Sequence, residues 1–461
     1  MIYTLTIHEQ DFGRLIGLLD NPNGNEAAAY LLCNKSVTKA ETRFIVKDVL
    51  EIPAIEIMRS SRSSVSILSK SYVKAFAKSD RENKSLFLVH SHPKGSQNFS
   101  KQDDIEEREF FRTGYIRSPK NTHGSLIVED VKSPFLLGRV WLNEAKNMKL
   151  EKIRIVGKKF KVFSSTRASR VPLWADRQVE AFGADFQKLL KTLCVGIVGA
   201  GGTGSSVCEQ VIRMGVGRLI VIDEQNLEDT NVTRIYGTGL KDVGKSKSFL
   251  IKRMARRIGT GTTITSINGS VCDLKHAKKL RECDLIFSCT DDMLGRLILN
   301  HLALYYYIPV VDMAVSIDST GGKIRDITGR ITVLMAGNAC LICRKRINQA
   351  ILRAEVLNRI NPAEYKKQVK ERYVRELPQR DPSVIMFTTN IASRAVVEFV
   401  SMLTGFMGED WTATEILERF HETDFSIRTG KNSFQGIEGC SCFNNGKWGL
   451  ADTNKFLGRL W

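Results

Sequence analysis

His90 and His92 stand two apart at the end of the apolar run LFLVHSH, and Ser100 and Asp103 follow shortly after. Alternate residues of a strand project to one side, so both imidazoles can reach a single ion. Two neutral imidazoles and one carboxylate leave the fourth position of a tetrahedral zinc to water, the open arrangement of a catalytic site. Zinc brings the pKa of such a water down to about 7, and a general base must then take its proton. Glu26, at the head of EAAAYLLC, is the candidate base. Each part also has a plainer reading. Ser100-x-x-Asp103 is a helix-capping pair, and His-x-His is a polar strand end. It is the combination that points to chemistry.

A second set of residues lies further on. TLCVGIVGAGGTGSS runs a strand into Gly199-x-Gly201-Gly202-x-Gly204 and then a helix. Such glycines permit a tight turn and let the helix N-terminus approach phosphate oxygens. Asp223 closes the next strand, at the place that usually holds a ribose hydroxyl. Alone, this motif reads as a dinucleotide site. Arg234 in DTNVTRIYG and Lys247 in DVGKSKS add two cations, and Asp291 in SCTDD lies just past another strand end. Ligands of open α/β sheets bind at that side. A triphosphate calls for this set: cations for a departing pyrophosphate and a carboxylate for magnesium. Taken singly, Arg234 and Lys247 are also surface charges, and Thr290 and Asp291 a helix cap.

Cys340-x-x-Cys343 and Cys440-x-Cys442 are two cysteine pairs distant in sequence. Together they can close one tetrahedral thiolate site, structural because it leaves no open position; buried reduced cysteines are the alternative. Between Cys343 and Cys440 there is no cysteine, and the stretch ELPQRDPSV (376–384) carries no thiol. Cys194, Cys208, Cys272, Cys283 and Cys289 fall in or beside predicted strands and helices, where buried thiols are expected.

The elements that must position these residues fall into two α/β patterns. Up to residue 145 the sequence predicts strands near Arg43–Glu51, Leu86–His90, Gly124–Glu129 and Leu136–Leu142, with helices near Val65–Lys78 and Lys101–Arg112. Residues 146–172 contain the basic stretch GKKFKVFSSTRASRVP and are expected to be a linker. From 173 to 461, TLCVGIVG, RLIVID and DLIFSC are each followed by a helical segment, with IPVVDMAV as a further strand. That alternation predicts a mostly parallel sheet of βαβ units. A further helix is expected over Thr388–Leu403. No internal repeat or low-complexity segment is found.

Two resemblances follow from the residues above. Glu26, His90-Ser-His92-Pro, Ser100 and Asp103 together resemble the signature of the JAMM (JAB/MPN) metallopeptidases, over about the first 145 residues. That resemblance implies that His90, His92 and Asp103 ligate zinc, that Glu26 is the general base, and that Ser100 hydrogen-bonds the oxyanion. It also implies cleavage of peptide or isopeptide bonds after the terminal glycine of ubiquitin-like proteins. The Cys-Gly usual after the glutamate is Ala-Ala here. From about Ala175 onward, DRQVEAFGADFQKLLKTLCVGIVGAGGTGS resembles the ThiF/MoeB-type activating enzymes, relatives of the ubiquitin-activating enzyme. This second resemblance implies that Asp223 binds the ribose, that Asn231, Arg234 and Lys247 contact the phosphates, and that Asp291 holds magnesium. It further implies that Arg177 reaches the triphosphate of a second subunit in a homodimer, and that the four-cysteine set holds a structural zinc. The reaction would be ATP-dependent adenylation of a C-terminal glycine. Enzymes of this type that form thioesters usually carry their cysteine between the two pairs. Its absence favours hand-off to a partner of the conjugating-enzyme kind.

The whole chain therefore resembles a component of bacterial ubiquitin-like conjugation systems. One alternative is activation of a sulfur-carrier protein for thiocarboxylate formation, with the peptidase processing the carrier. Another is an NAD oxidoreductase fused to an inert MPN scaffold. Composition sets outer bounds. The 461 residues suffice for two to three domains, and 43% hydrophobic with 26% charged residues is ordinary for a folded protein. The most apolar stretch, LALYYYIPVVDMAV, is too short for a membrane span. The N-terminal residues carry no signal-peptide pattern. Ten cysteines without such a signal point to reduced thiols and a cytoplasmic setting. The net charge of +18 is spread along the chain without a zinc-finger or RNA-binding signature, so no nucleic-acid partner is expected.

Overall fold

The computed structural model describes residues 1–93, 98–143, 145–157, 160–165, 171–377, 382–408, 414–421, 427–429, 437–453 and 455–458. The chain divides into two compact units. The first comprises Met1–Arg167, Tyr305–Tyr307 and Trp448–Leu460, and the second holds the rest.

In the first unit the elements are β1 (Ile2–His8), α1 (Glu9–Leu19), β2 (Ala28–Val37), β3 (Glu41–Glu51), β4 (Ile57–Ser61), β5 (Ser64–Ile67), α2 (Ser69–Arg81), β6 (Ser85–His92), α3 (Lys101–Arg117), β7 (His123–Glu129), β8 (Phe135–Asn143), β9 (Lys146–Lys149), β10 (Lys152–Val156) and β11 (Lys161–Ser164). Nine strands form one mixed sheet in the order β11-β10-β1-β3-β2-β6-β7-β8-β9. Alternation of side chains gives this sheet two apolar faces. On one, Leu5, Ile7, Leu31, Phe44 and Phe87 pack with Leu15 and Leu19 of α1. On the other, Tyr30, Leu32, Leu86 and Trp141 pack with Phe76 of α2 and Phe110 and Phe111 of α3. Strands β6 and β7 are parallel neighbours, so the chain crosses between them through α3. The carboxyl end of β6 therefore leads to the start of α3.

This architecture departs from the sequence expectation in three places. Much of the expected linker 146–172 is sheet: β10 pairs in parallel with β1, register Thr4 with Lys152, and β11 pairs with β10, while residues 158–159 and 166–170 lie outside the described residues. Lys152 and Arg154 of β10 are buried beside Glu41. The expected helix from Val65 starts only at Ser69, because Ser64–Ile67 is the second strand of the β4–β5 hairpin. The segment from Trp448 joins the first unit although it follows the second in sequence. Asn34 Nδ2 donates to the Gly449 carbonyl at 2.8 Å, Lys47 Nζ to that of Trp448 at 2.9 Å, and the Val37 N–H to Asp452 Oδ2 at 2.9 Å.

The second unit contains α4 (Asp176–Phe182), α5 (Ala184–Thr192), β12 (Cys194–Val198), α6 (Gly202–Arg213), β13 (Arg218–Asp223), α7 (Lys247–Ile258), β14 (Thr263–Asn268), α8 (Leu274–Ala277), β15 (Leu285–Ser288), α9 (Met293–Tyr305), β16 (Val310–Thr320), β17 (Lys323–Leu334), α10 (Gln349–Ile360), α11 (Pro362–Lys370), α12 (Ile385–Thr404), β18 (Glu415–Arg419) and β19 (Ile427–Thr429). Its sheet runs β14-β13-β12-β15-β16-β17-β18-β19, parallel through the first five and antiparallel after. Strands β12 and β15 are buried along their whole length, as a parallel sheet covered on both faces requires. The strand order reverses direction between β12 and β15. Ligands of open α/β sheets bind at such a switch point, beyond the strand ends.

Candidate functional site

The first unit brings its five candidate residues to the β6–α3 junction. His90 Nε2 and His92 Nε2 lie 3.0 Å apart, and the Asp103 carboxylate oxygens lie 3.3 Å from His90 Nε2 and 3.8 Å from His92 Nε2. Ligands 2.0–2.1 Å from a tetrahedral zinc sit about 3.3 Å from one another, so the three donors fit that ion. Ser100 and Asp103 form the capping box of α3: Ser100 Oγ accepts from the Asp103 N–H at 3.1 Å, and the Ser100 N–H donates to Asp103 Oδ2 at 2.6 Å. The capping reading of this pair therefore holds. The Ser100 side chain also hydrogen-bonds the Asp103 carboxylate, which helps to hold that group ionised.

Glu26 is fixed by its backbone, its N–H donating to the Ser61 carbonyl at 2.7 Å and its carbonyl accepting from Ser60 Oγ at 2.8 Å. Its side chain shares a pocket with His90 and Asp103. Burial pushes the Glu26 carboxyl up to about 7, His90 opposing and Asp103 and Glu106 adding to the rise. Burial would raise Asp103 as well, but its bonds with His90 hold it well below the usual carboxylate range.

Glu107 was not singled out from the sequence. It lies one turn beyond Asp103, is 2% exposed, and its Oε2 accepts from Ser125 Oγ at 2.6 Å, Arg139 Nε at 2.9 Å and Trp141 Nε1 at 2.7 Å. This hub ties α3 to β7 and β8 and so fixes where Asp103 stands. The helical spacing of four from Asp103 was the available signal.

In the second unit one cavity of about 270 Å³ sits at the switch point. Gly199, Gly201, Gly202, Asp223, Asn231, Arg234, Lys247 and Asp291 all line it. Gly199 has φ +89, and a Cβ there would lie 2.6 Å from the Cys289 carbonyl oxygen. Gly204 does not face the cavity. A Cβ on it would fall 1.8 Å from the Gly199 carbonyl oxygen, so its bare backbone is what lets α6 start this close to β12.

Asp223 Oδ2 accepts from the Ala200 N–H at 2.6 Å and Oδ1 from the Gln225 N–H at 2.8 Å, and burial raises its pKa. Lys247 Nζ donates to Gln225 Oε1 at 2.7 Å, and Arg234 Nη1 to the Thr230 carbonyl at 2.8 Å. The helix cap expected at Thr290/Asp291 belongs to Asp292, whose Oδ2 accepts from the Gly295 N–H at 2.6 Å. Asp291 is left to line the cavity. Arg296, a further cation on this wall, was not anticipated. Arg177 is not among the lining residues; it is exposed and pairs with Glu180 at 3.1 Å.

The four candidate thiolates converge. Sγ–Sγ distances are 3.8 Å for Cys340–Cys343, 3.6 Å for Cys340–Cys440, 3.5 Å for Cys343–Cys442 and 3.4 Å for Cys440–Cys442. Zinc–sulfur bonds of 2.3 Å place tetrahedral sulfurs about 3.8 Å apart, so the set fits. Hydrogen bonding from Cys442 lowers the Cys340 thiol to about 5. Cys33, Cys194, Cys208, Cys272 and Cys283 are buried and Cys289 half-buried, each outside this cluster. Part of the stretch 376–384, residues 378–381, lies outside the described residues.

The model of the ThiF family matches residues 175–436, more than half of the chain. The chain belongs to the ThiF family. Ahead of the ThiF unit, residues 8–128 match the model of prokaryotic homologs of the JAB domain, so the fusion read from the sequence is present. The molybdopterin-synthase adenylyltransferase of Escherichia coli is 31% identical over 176 residues, 37% of this chain and 67% of that protein. The adenylyltransferase and sulfurtransferase MOCS3 of Caenorhabditis briggsae is 31% identical over 133 residues, 29% of this chain but 33% of that protein. The SAMP-activating enzyme E1 of Haloferax volcanii is 24% identical over 165 residues, 36% of this chain and 58% of that protein. The chain thus spans from about a third to two thirds of the length of these curated relatives. Among solved structures, E. coli MccB with ATP is 18% identical with a TM-score of 0.44, covering 59% of this chain and 75% of that one. No helix among the described residues is long and apolar enough to cross a membrane.

Proposed function

We propose that this protein adenylates the C-terminal glycine of a ubiquitin-like protein with ATP and Mg²⁺, and that its JAB unit cleaves after that glycine. The observation that carries the first activity is the convergence of Asp223, Arg234, Lys247 and Asp291 on one cavity at the glycine turn. Asp223 binds the ribose. Backbone N–H groups at the start of α6, with Asn231, Arg234 and Lys247, hold the phosphates, and Asp291 holds magnesium. A carboxylate oxygen of the incoming glycine attacks the α-phosphorus, the bond from that phosphorus to the β-phosphate oxygen breaks, and pyrophosphate leaves. The cations stabilise the charge that builds on it. A dinucleotide needs neither these cations nor a magnesium carboxylate, which weighs against hydride transfer. Arg177 serves the triphosphate of a second copy, making the working unit a homodimer, and the adenylate passes to a partner of the conjugating-enzyme kind.

In the JAB unit, His90, His92 and Asp103 hold zinc, which when bound supplies a polarised water at neutral pH. Glu26 takes the proton from the attacking water and returns it to the leaving amine, and the Ser100 hydroxyl donates to the oxyanion. Four thiolates, Cys340, Cys343, Cys440 and Cys442, hold a structural zinc. The likeness to a molybdopterin-synthase adenylyltransferase and to an adenylyltransferase and sulfurtransferase favours a sulfur carrier as the second reading of the substrate. Both substrates use the same residues. The test is Glu26→Gln in the full chain: zinc content is retained while cleavage of a ubiquitin-like fusion is lost. Wild-type cleavage by that variant refutes the peptidase reading.

A further inference from the structure

Behind the nucleotide cavity runs a layer of buried charge that the reaction does not use directly. Asp312 on β16 is fully buried, flanked by the buried apolar residues Val310, Val311 and Met313. Its Oδ1 accepts from Ser288 Oγ at 2.7 Å, its Oδ2 from Arg330 Nη2 at 2.7 Å, and Arg296 Nε lies 3.6 Å from Oδ1. Arg296, in the first turn of α9, turns its remaining bonds toward the cavity wall. Its Nε donates to the Thr290 carbonyl at 3.1 Å and its Nη2 to the Met313 carbonyl at 3.4 Å. Thr290 immediately precedes Asp291, and Met313 also lines the cavity. One guanidinium thereby ties the segment just past β15 to Met313 within β16, at the wall where magnesium and phosphates are expected.

The layer continues away from the cavity. Arg330 Nη1 bonds Thr332 Oγ1, Thr332 Oγ1 donates to Glu415 Oε1 at 3.3 Å, and Arg346 meets Glu415 through two bonds of 3.1 Å each. Arg344, next to Cys343, lies 3.8 Å from the same carboxylate. Buried ion pairs add little net stability, since desolvation offsets their attraction, while losing one partner is costly. An apolar strand pair would serve stability as well. What the charges add is direction: a planar fork held from behind has one orientation.

We propose that Asp312 is a positioning residue of the nucleotide site, holding the Arg296 guanidinium against the Thr290 and Met313 carbonyls and so aiming Asp291 into the cavity. This rests on the reading of the cavity as a nucleotide site. Asp312 touches neither nucleotide nor magnesium; it acts through Arg296.

The experiment titrates the full chain with Mg·ATP and, separately, with adenosine. Wild-type protein that binds no Mg·ATP removes the nucleotide reading itself, whatever the variants do. Given wild-type binding, Asp312→Asn weakens Mg·ATP by about ten-fold, as the Arg296 guanidinium loses the carboxylate charge that faces it at 3.6 Å, and raises the magnesium needed for half-saturation. Adenosine, held by the Asp223 side of the cavity, binds as to wild type. Arg296→Lys keeps the positive charge but not the fork, and gives the same pattern. The double variant is no worse than either single one, because both changes cut one connection. Equal losses for ATP and adenosine mean general damage and overturn the proposal, as do unchanged Mg·ATP binding or additive effects in the double variant. If Asp312→Asn does not fold, the ratio of the two affinities in Arg296→Lys decides by the same criteria.

Discussion

Gly204→Ala is the sharpest perturbation of the glycine turn, and its size follows from one distance. The added Cβ would stand 1.8 Å from the Gly199 carbonyl oxygen, which is backbone and cannot swing aside. An ordinary carbon–oxygen contact is about 3.3 Å, so the start of α6 must retreat by roughly 1.5 Å. A phosphate hydrogen bond of about 2.9 Å would then stretch beyond 4 Å and be lost. Losing one such charge-assisted bond costs about 1.5–3 kcal/mol, or ten-fold to a hundred-fold in Kd for ATP. Overpacking should also take about 1–3 kcal/mol from the stability of the second unit. Gly201→Ala is the control. A Cβ there meets nothing within 4 Å and the backbone is extended with φ −74, so stability should hold. Chemical denaturation and isothermal titration of both variants provide the assay. A Gly204→Ala protein with wild-type stability and ATP affinity would refute the argument that this glycine sets the distance between helix and strand.

Three further outcomes follow. Glu107→Ala removes the acceptor shared by Ser125, Arg139 and Trp141, Arg139 keeping its pair with Asp104, and should cost about 1–3 kcal/mol in denaturant unfolding while weakening zinc retention against a chelator; unchanged stability would contradict the role assigned to the hub. Glu41 is held down to about 2, burial alone raising it but Arg43 and Arg154 outweighing that. A depressed carboxylate stabilises the fold above its unfolded pKa near 4.5 and loses that contribution as pH falls toward 2. The shift corresponds to about 3 kcal/mol, so Glu41→Gln should flatten the acid limb of the stability curve and lower the plateau at neutral pH. Stripping metal from the four-cysteine set with a chelator should lower the melting temperature of the wild-type protein, whereas a Cys340→Ser variant should start low and respond little.

The sequence is most legible where chemistry and local geometry coincide. His90 and His92 could be placed because a strand has period two, and Asp103 because a capping box marks a helix start; the 3.0–3.8 Å cluster follows from both. The glycine turn was legible for the same local reason. What sequence pattern missed depends on contacts between distant segments. Nothing local marks Lys152 and Arg154 as buried until Glu41 is placed beside them. The stretch from Val65 looks helical until Ser64–Ile67 pairs with Ile57–Ser61. The return of Trp448 onward to the first unit rests on bonds to Asn34, Val37 and Lys47, with no local signal in the chain. Asp312 sits inside an apolar strand pattern, where a single acid carries no pattern of its own, and Glu107 offered only its helical spacing of four from Asp103.

The most direct measurement is ATP–pyrophosphate exchange by the full chain with a co-purifying ubiquitin-like protein. Reversible formation of an acyl-adenylate predicts exchange that requires magnesium and the terminal glycine and that falls to background in Asp291→Ala. Wild-type protein that binds this partner and ATP yet exchanges no pyrophosphate would contradict the proposed reaction.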